Sequence, residues 1–113
     1  MAKVEITEKL YKQIEKTFST SQANKLFDML EYLEENPHKG KKLSAVSGVL
    51  IKEIKFLKYR FYCITDNHVL KFGTQEELAD LLIKFIRMSE KKDQQKTINE
   101  IKDTLQSLGF QGF

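Results

Sequence analysis

The bases of this chain are crowded into one stretch. From His38 to Arg60 there are seven, Lys39, Lys41, Lys42, Lys52, Lys55, Lys58 and Arg60, against the single acid Glu53, a net +6 within a chain whose total is +3. The flanking stretches are mildly acidic, with five bases and seven acids in residues 1–37 and seven and eight in residues 61–113. Such a concentration attracts phosphate or an acidic partner protein. The same lysines also suit a solvated loop and strand edge, where they oppose aggregation. Other chemistries lack their residues. Cys63 is the only cysteine, so no internal disulfide forms, and with only His38 and His68 beside it the usual zinc-ligand sets are absent. No metal and no cofactor is expected. Cys63 lies in an apolar run and reads as a small buried hydrophobe, while the two histidines read as surface residues next to a proline and a turn.

The elements that must carry these bases follow from period and punctuation. At 113 residues the chain suits one domain, 1–113. No window approaches the roughly 20 apolar residues of a membrane span. The start, Met1-Ala2-Lys3-Val4-Glu5, lacks the apolar core of a secretory signal, so no membrane partner and a cytoplasmic location are expected. Val4-Glu5-Ile6 alternates like a short strand, and Thr7-Glu8 supplies a helix start. Leu10, Ile14 and Phe18 then line one helical face up to the break at Ser19-Thr20-Ser21. A second helix carries Ala23, Leu26, Phe27, Leu30 and Leu33, and Asn36-Pro37 ends it.

Residues 38–48 read as a polar connection. Val49 to Leu57 and Tyr59 to Thr65, rich in branched and aromatic residues, form an antiparallel pair joined near Lys58. Asp66-Asn67 reads as a turn, with His68 to Phe72 returning as a further strand. Leu81 to Arg87, apolar on both parities, is expected as a strand buried on two faces. Ile98, Ile101, Leu105 and Leu108 mark a closing helix, with Gly109 as its left-handed terminator and Phe110 and Phe113 docking back on the core. The expected fold is α+β, a strand and two helices followed by a mainly antiparallel sheet of three to four strands and a C-terminal helix.

Five pieces of this sequence fall in a familiar order: the helical pair ending Leu33-Glu34-Glu35-Asn36-Pro37; Gly40-Lys41-Lys42-Leu43 with Gly48; Glu53-Ile54-Lys55; Tyr59-Arg60-Phe61-Tyr62; and Leu81 to Arg87 leading into a polar helix. In that order the chain resembles the RelE/ParE superfamily of toxin-antitoxin toxins, and within it the HigB-like, phage-associated branch. The resemblance implies a small sheet with helices packed on it, and a basic surface that meets messenger RNA on the ribosome. It also implies a cognate antitoxin, commonly a helix-turn-helix protein. The activity it implies is mRNA cleavage without metal, in which the ribose 2′-hydroxyl attacks the adjacent phosphate while the protein orients the strand, stabilises charge and assists proton transfer.

Carried over by position, Arg60 matches the arginine that faces the scissile phosphate, where a guanidinium fork fits the oxygens. Lys55 matches a base two residues after a strand glutamate or lysine, here Glu53. Arg87 matches a cation for substrate phosphate, and Asp93 and Glu90 are the acids placed where a carboxylate could act as base. Lys41, Lys42, Lys52, Lys58, Lys91 and Lys92 are expected to add attraction to the RNA backbone, and Tyr62 shares the strand parity of Arg60. Each has a plainer reading as well. Arg60 could pair with Glu53, Lys55 could be an exposed strand charge, Arg87 could cap the sheet edge, Asp93 could start a helix, and Tyr62 could be core. The pattern departs from the family in two places. Ile83 stands where a histidine is common, with no tyrosine or histidine after His68, and residues Asn67 to Glu77 look like an insertion that lengthens the sheet.

Overall fold

The computed structural model describes all 113 residues. Strand β1 (Lys3–Ile6) leads into helix α1 (Glu8–Thr17), which starts where the Thr7 hydroxyl accepts from the Leu10 amide. Helix α2 (Thr20–Glu31) begins with a reciprocal cap in which Ser19 and Gln22 satisfy each other's backbone amides. A short 3-10 turn, Tyr32–Glu34, completes the pair. The sheet continues through β2 (Lys41–Val46), β3 (Val49–Phe56) and β4 (Tyr59–Asp66). Two short helices, α3 (Asn67–Phe72) and α4 (Gln75–Ala79), lead to β5 (Leu82–Glu90), and α5 (Gln94–Leu108) closes the fold before a last turn at Gly109–Gly112.

The sheet order is β1-β5-β4-β3-β2, parallel between β1 and β5 and antiparallel elsewhere. The expected α+β class and antiparallel character hold, but the strand count does not: there are five. Lys41–Val46, read as a connection, pairs with β3, because an edge strand needs only one apolar row and here that row is short. His68 to Phe72, read as a strand, is helical. Asp66 accepts from the Val69 amide, so the residue taken for a turn is a helix cap, and the stretch from Asn67 to Glu77 adds helices rather than length to the sheet. The closing stripe also shifts, since Leu108 is exposed while Thr97 joins Ile98, Ile101 and Leu105 inward.

Both faces of the sheet are covered. Leu50, Phe61, Cys63, Ile83, Phe85 and Met88 point toward α1 and α2, where Leu10, Ile14, Phe18, Leu26 and Leu30 complete the larger core. Ile51, Tyr62, Ile64 and Ile86 point the other way, toward Ile98, Ile101 and Leu105 of α5. Strict alternation along β5 would send Arg87 to the α1–α2 side with Ile83 and Phe85. A bulge prevents this. Tyr62 opposes Arg87 and Cys63 opposes Phe85, so Ile86 is the extra residue and Arg87 turns to the α5 side.

The β3–β4 turn holds Leu57 at φ 54° with its side chain in solvent. A branched side chain is disfavoured in this left-handed region by about 1 kcal/mol or more. Leu57→Asn is therefore expected to raise stability by about 1 kcal/mol in urea unfolding.

Candidate functional site

The α5 side of the sheet carries a polar cluster at its centre. Arg60 on β4 reaches diagonally to Glu53 on β3, its Nε lying 2.8 Å from Oε1, with the side chains only 13% and 7% exposed. The other carboxylate oxygen of Glu53 accepts from Gln94 Nε2 at 2.9 Å, which ties the first turn of α5 to the pair. Beside them the Tyr62 hydroxyl and Ser89 Oγ lie 2.9 Å apart. Burial pushes the Tyr62 hydroxyl above the ordinary tyrosine range, with the bond to Ser89 opposing and the Glu53 charge adding, so the phenol keeps its proton at neutral pH. Glu53 is the one residue that hydrogen-bonds the guanidinium, and a guanidinium has five donors. The arrangement can present a fixed cationic fork at a largely dry site, with a neutral phenol at hand.

The cations expected at the site divide by strand parity. Lys55 is the register partner of Arg60 and Lys41 that of Glu53, so both share the cluster's face, and both are exposed. Arg87 shares that face through the bulge, but its guanidinium carbon lies 5.1 Å from the Phe113 ring and Nη1 donates to the Ile86 carbonyl at 2.8 Å. Lys52 does not belong with them. It points to the α1–α2 side, is fully buried, and donates from Nζ to the Pro37 carbonyl at 2.6 Å. Its position on β3 has the parity of Leu50 and Ile54, which is the reason it cannot meet a ligand on the other face. Lys42, its register partner, is on that side too, though exposed. Tyr62 is also fully buried, so its ring packs against the α5 core and offers no platform to a base.

The remaining expected residues gather at the far end of β5. Only Leu82–Phe85 pairs with β1, so the later half of β5 is a free edge between α1 and α5. A groove of about 440 Å³ lies there, lined by Gln13, Thr17, Ser89, Lys92, Asp93 and Lys96 among others. Asp93 is exposed, makes no side-chain cap bond at the start of α5, and gives only its carbonyl to Thr97. Lys58 and Lys92 pair with Glu90 at 3.3 and 3.5 Å, and the hydrogen bond from Lys58 with both positive charges holds the Glu90 carboxyl below its usual range. Lys91 is exposed. Asp93 thus opens on a groove beside the Arg60 cluster, with Ser89 common to both. No three side chains among histidine, cysteine, aspartate and glutamate stand close enough together to hold a metal ion.

No family model, curated protein or solved structure matches this chain. Sequence reasoning overlooked Gln94 and Ser89, both second partners in the cluster. Gln94 had a usable signal, since the first helical residue after a polar run points back toward the strand ends. Ser89 had none beyond its parity. No helix is long and apolar enough to cross a membrane.

Two substitutions test the electrostatics described here. Glu53→Ala leaves Arg60 nearly buried without its acid and is expected to cost about 3 kcal/mol in urea unfolding, whereas Glu53→Met with Arg60→Met together recovers most of it. Burial holds the Lys52 ammonium below the ordinary lysine value of 10.5, with Cys63 opposing and Lys42 adding. The unfolded chain then binds the extra proton, so Lys52 gives stability that rises with pH from the folded-state value up to 10.5. Lys52→Met is expected to match or exceed the parent at pH 7, and its advantage should shrink as the pH climbs through that window.

Proposed function

We propose that this chain is a toxin of the RelE/ParE type that cleaves messenger RNA on the ribosome. The observation that carries the reading is the common face of Lys41, Lys55, Arg60 and Arg87, four cations on adjacent strands of one sheet. In the reaction the 2′-oxygen of one ribose attacks the adjacent phosphorus and the 5′-oxygen of the next nucleotide leaves, giving a cyclic phosphate and a 5′-hydroxyl. Charge accumulates on the phosphate oxygens, and Arg60, held by Glu53, is the group suited to meet it. Exposed Lys55 and Lys41 draw in the backbone. Asp93 is assigned the proton from the 2′-hydroxyl, since both oxygens of Glu53 are already engaged.

A second reading is favoured by one specific observation. Tyr62 is fully buried with its hydroxyl against Ser89, so the cluster's own phenol is closed to the leaving oxygen, and Tyr59, which lines the neighbouring groove, packs its ring on Phe18. In that reading the chain binds ribosome-bound RNA without cutting it. In either case the exposed lysines of this face fit an antitoxin segment rich in acids, and a gyrase-directed activity has no residue in its favour.

Purified protein added to a translating extract is expected to cut mRNA within the decoding site, and Arg60→Ala to lower the rate about 100-fold or more. Intact mRNA with the protein retained on ribosomes would decide for the second reading. DNA breaks with an SOS response would decide for gyrase.

A further inference from the structure

Lys84 and Arg87 stand on the α5 side of β5, opposite Ile64 and Tyr62. Neither has a side-chain carboxylate partner; Glu5, the β1 register partner of Lys84, is exposed and makes no ion pair. Both cations are instead covered by one short segment, Gly109–Phe113. The Phe113 carbonyl accepts from Lys84 Nζ at 2.6 Å, the Phe110 ring lies 5.7 Å from the same ammonium, and the Phe113 ring lies 5.1 Å from the Arg87 guanidinium. An oxygen on an ammonium with a flat ring on the neighbouring guanidinium is the chemistry by which a nucleotide is held, phosphate to lysine and base to arginine.

We propose that Lys84 and Arg87 form a nucleotide subsite for single-stranded RNA, and that Gly109–Phe113 fills it in the free protein as an internal stand-in. The inference rests on the RNA-directed reading above and names a further subsite of that face. Two features of the segment make the closed form conditional. Gly109, at φ 67° and ψ −163°, takes a backbone conformation open to glycine, so the chain turns sharply there out of α5. Gly112 sits so close to α5 that an added Cβ would lie 2.7 Å from Thr104 Cγ2 and 2.9 Å from Leu108 Cβ. The closed position therefore depends on a glycine at 112. Phe110 and Phe113 are only half-buried, and the core beneath them retains Ile98, Ile101 and Leu105 when they leave.

The test measures binding of a 12-nucleotide RNA over a range of salt concentrations. It compares the full chain, Gly112→Val, and a chain ended after Gly109, each checked for folding by circular dichroism and thermal melting. If the segment is closed in at least nine molecules of ten, opening it raises affinity about tenfold or more. The added phosphate contact steepens the salt dependence by about 0.7 in log–log slope. Lys84→Gln with Arg87→Gln in the shortened chain should return both values to those of the full chain. Equal affinity and slope in all three folded forms would overturn this inference while leaving the RNA-directed reading in place. Failure of every form to bind would overturn both.

Discussion

A sheet with helices on both faces leaves much of its inner strands little water with which to solvate a charge. Lys55 and Asp66 reach solvent, but Lys52, Glu53, Arg60, Lys84 and Arg87 lie at least partly buried and are answered inside the protein. Lys52 donates a hydrogen bond to the Pro37 carbonyl, just after the helical pair. Glu53 and Arg60 answer each other, with Gln94 taking the remaining oxygen. Lys84 and Arg87 are answered by the carbonyl and rings of the segment after α5. These ties also join the layers: the first holds the loop after α2, the second the start of α5, and the third its end. The two positive groups nearest the centre of the α5 face, Arg60 and Arg87, are thus held in place by the same bonds that make their burial tolerable.

The bulge at Ile86 decides which of them can act together. Without it, Arg87 would turn to the α1–α2 side, on the face opposite Arg60 and Lys84. With it, Ile86 and Arg87 both turn toward α5, one into the apolar core and one beside Tyr62. The cost is one unpaired position in the ladder. The gain is Arg87 beside Tyr62, on the side that already holds Lys41, Lys55, Arg60 and Lys84.

Much of the scaffold was legible because caps and periods agree. Thr7, Ser19 and the Asn36-Pro37 break marked both early helices, and the branched and aromatic runs of β3 and β4 marked their antiparallel pairing. What was not legible had competing physics. Asp66-Asn67 suits a turn and a helix start equally, and only the tertiary position of Leu70 under the core selects the helix. Lys41–Val46 carries two lysines and no strong apolar row, so its pairing is imposed by the neighbour strand. At the site, the pairing of Arg60 with Glu53 was one open possibility and the structure adopts it. Lys52 was counted as attracting backbone phosphate because a lysine is rarely buried whole; the loop carbonyl that makes this possible is distant in sequence. The bulge left a faint trace, a strand apolar on both parities, which reads equally well as burial on two sides.

The parallel pairing of β1 with β5 bears on how the molecule is made. Lys3 meets Leu82, so β1 is made long before the strand that it pairs with. Val4 and Ile6 have no sheet to shelter them until β5 arrives, and closure of that long loop is paid in chain entropy late in synthesis. The hairpin of β3 and β4 can zip up early, but the outermost strand on the far edge is the last to be fixed. The nascent protein consequently completes its sheet only once β5 has been made, a sequence of events written into the strand order rather than into any one side chain.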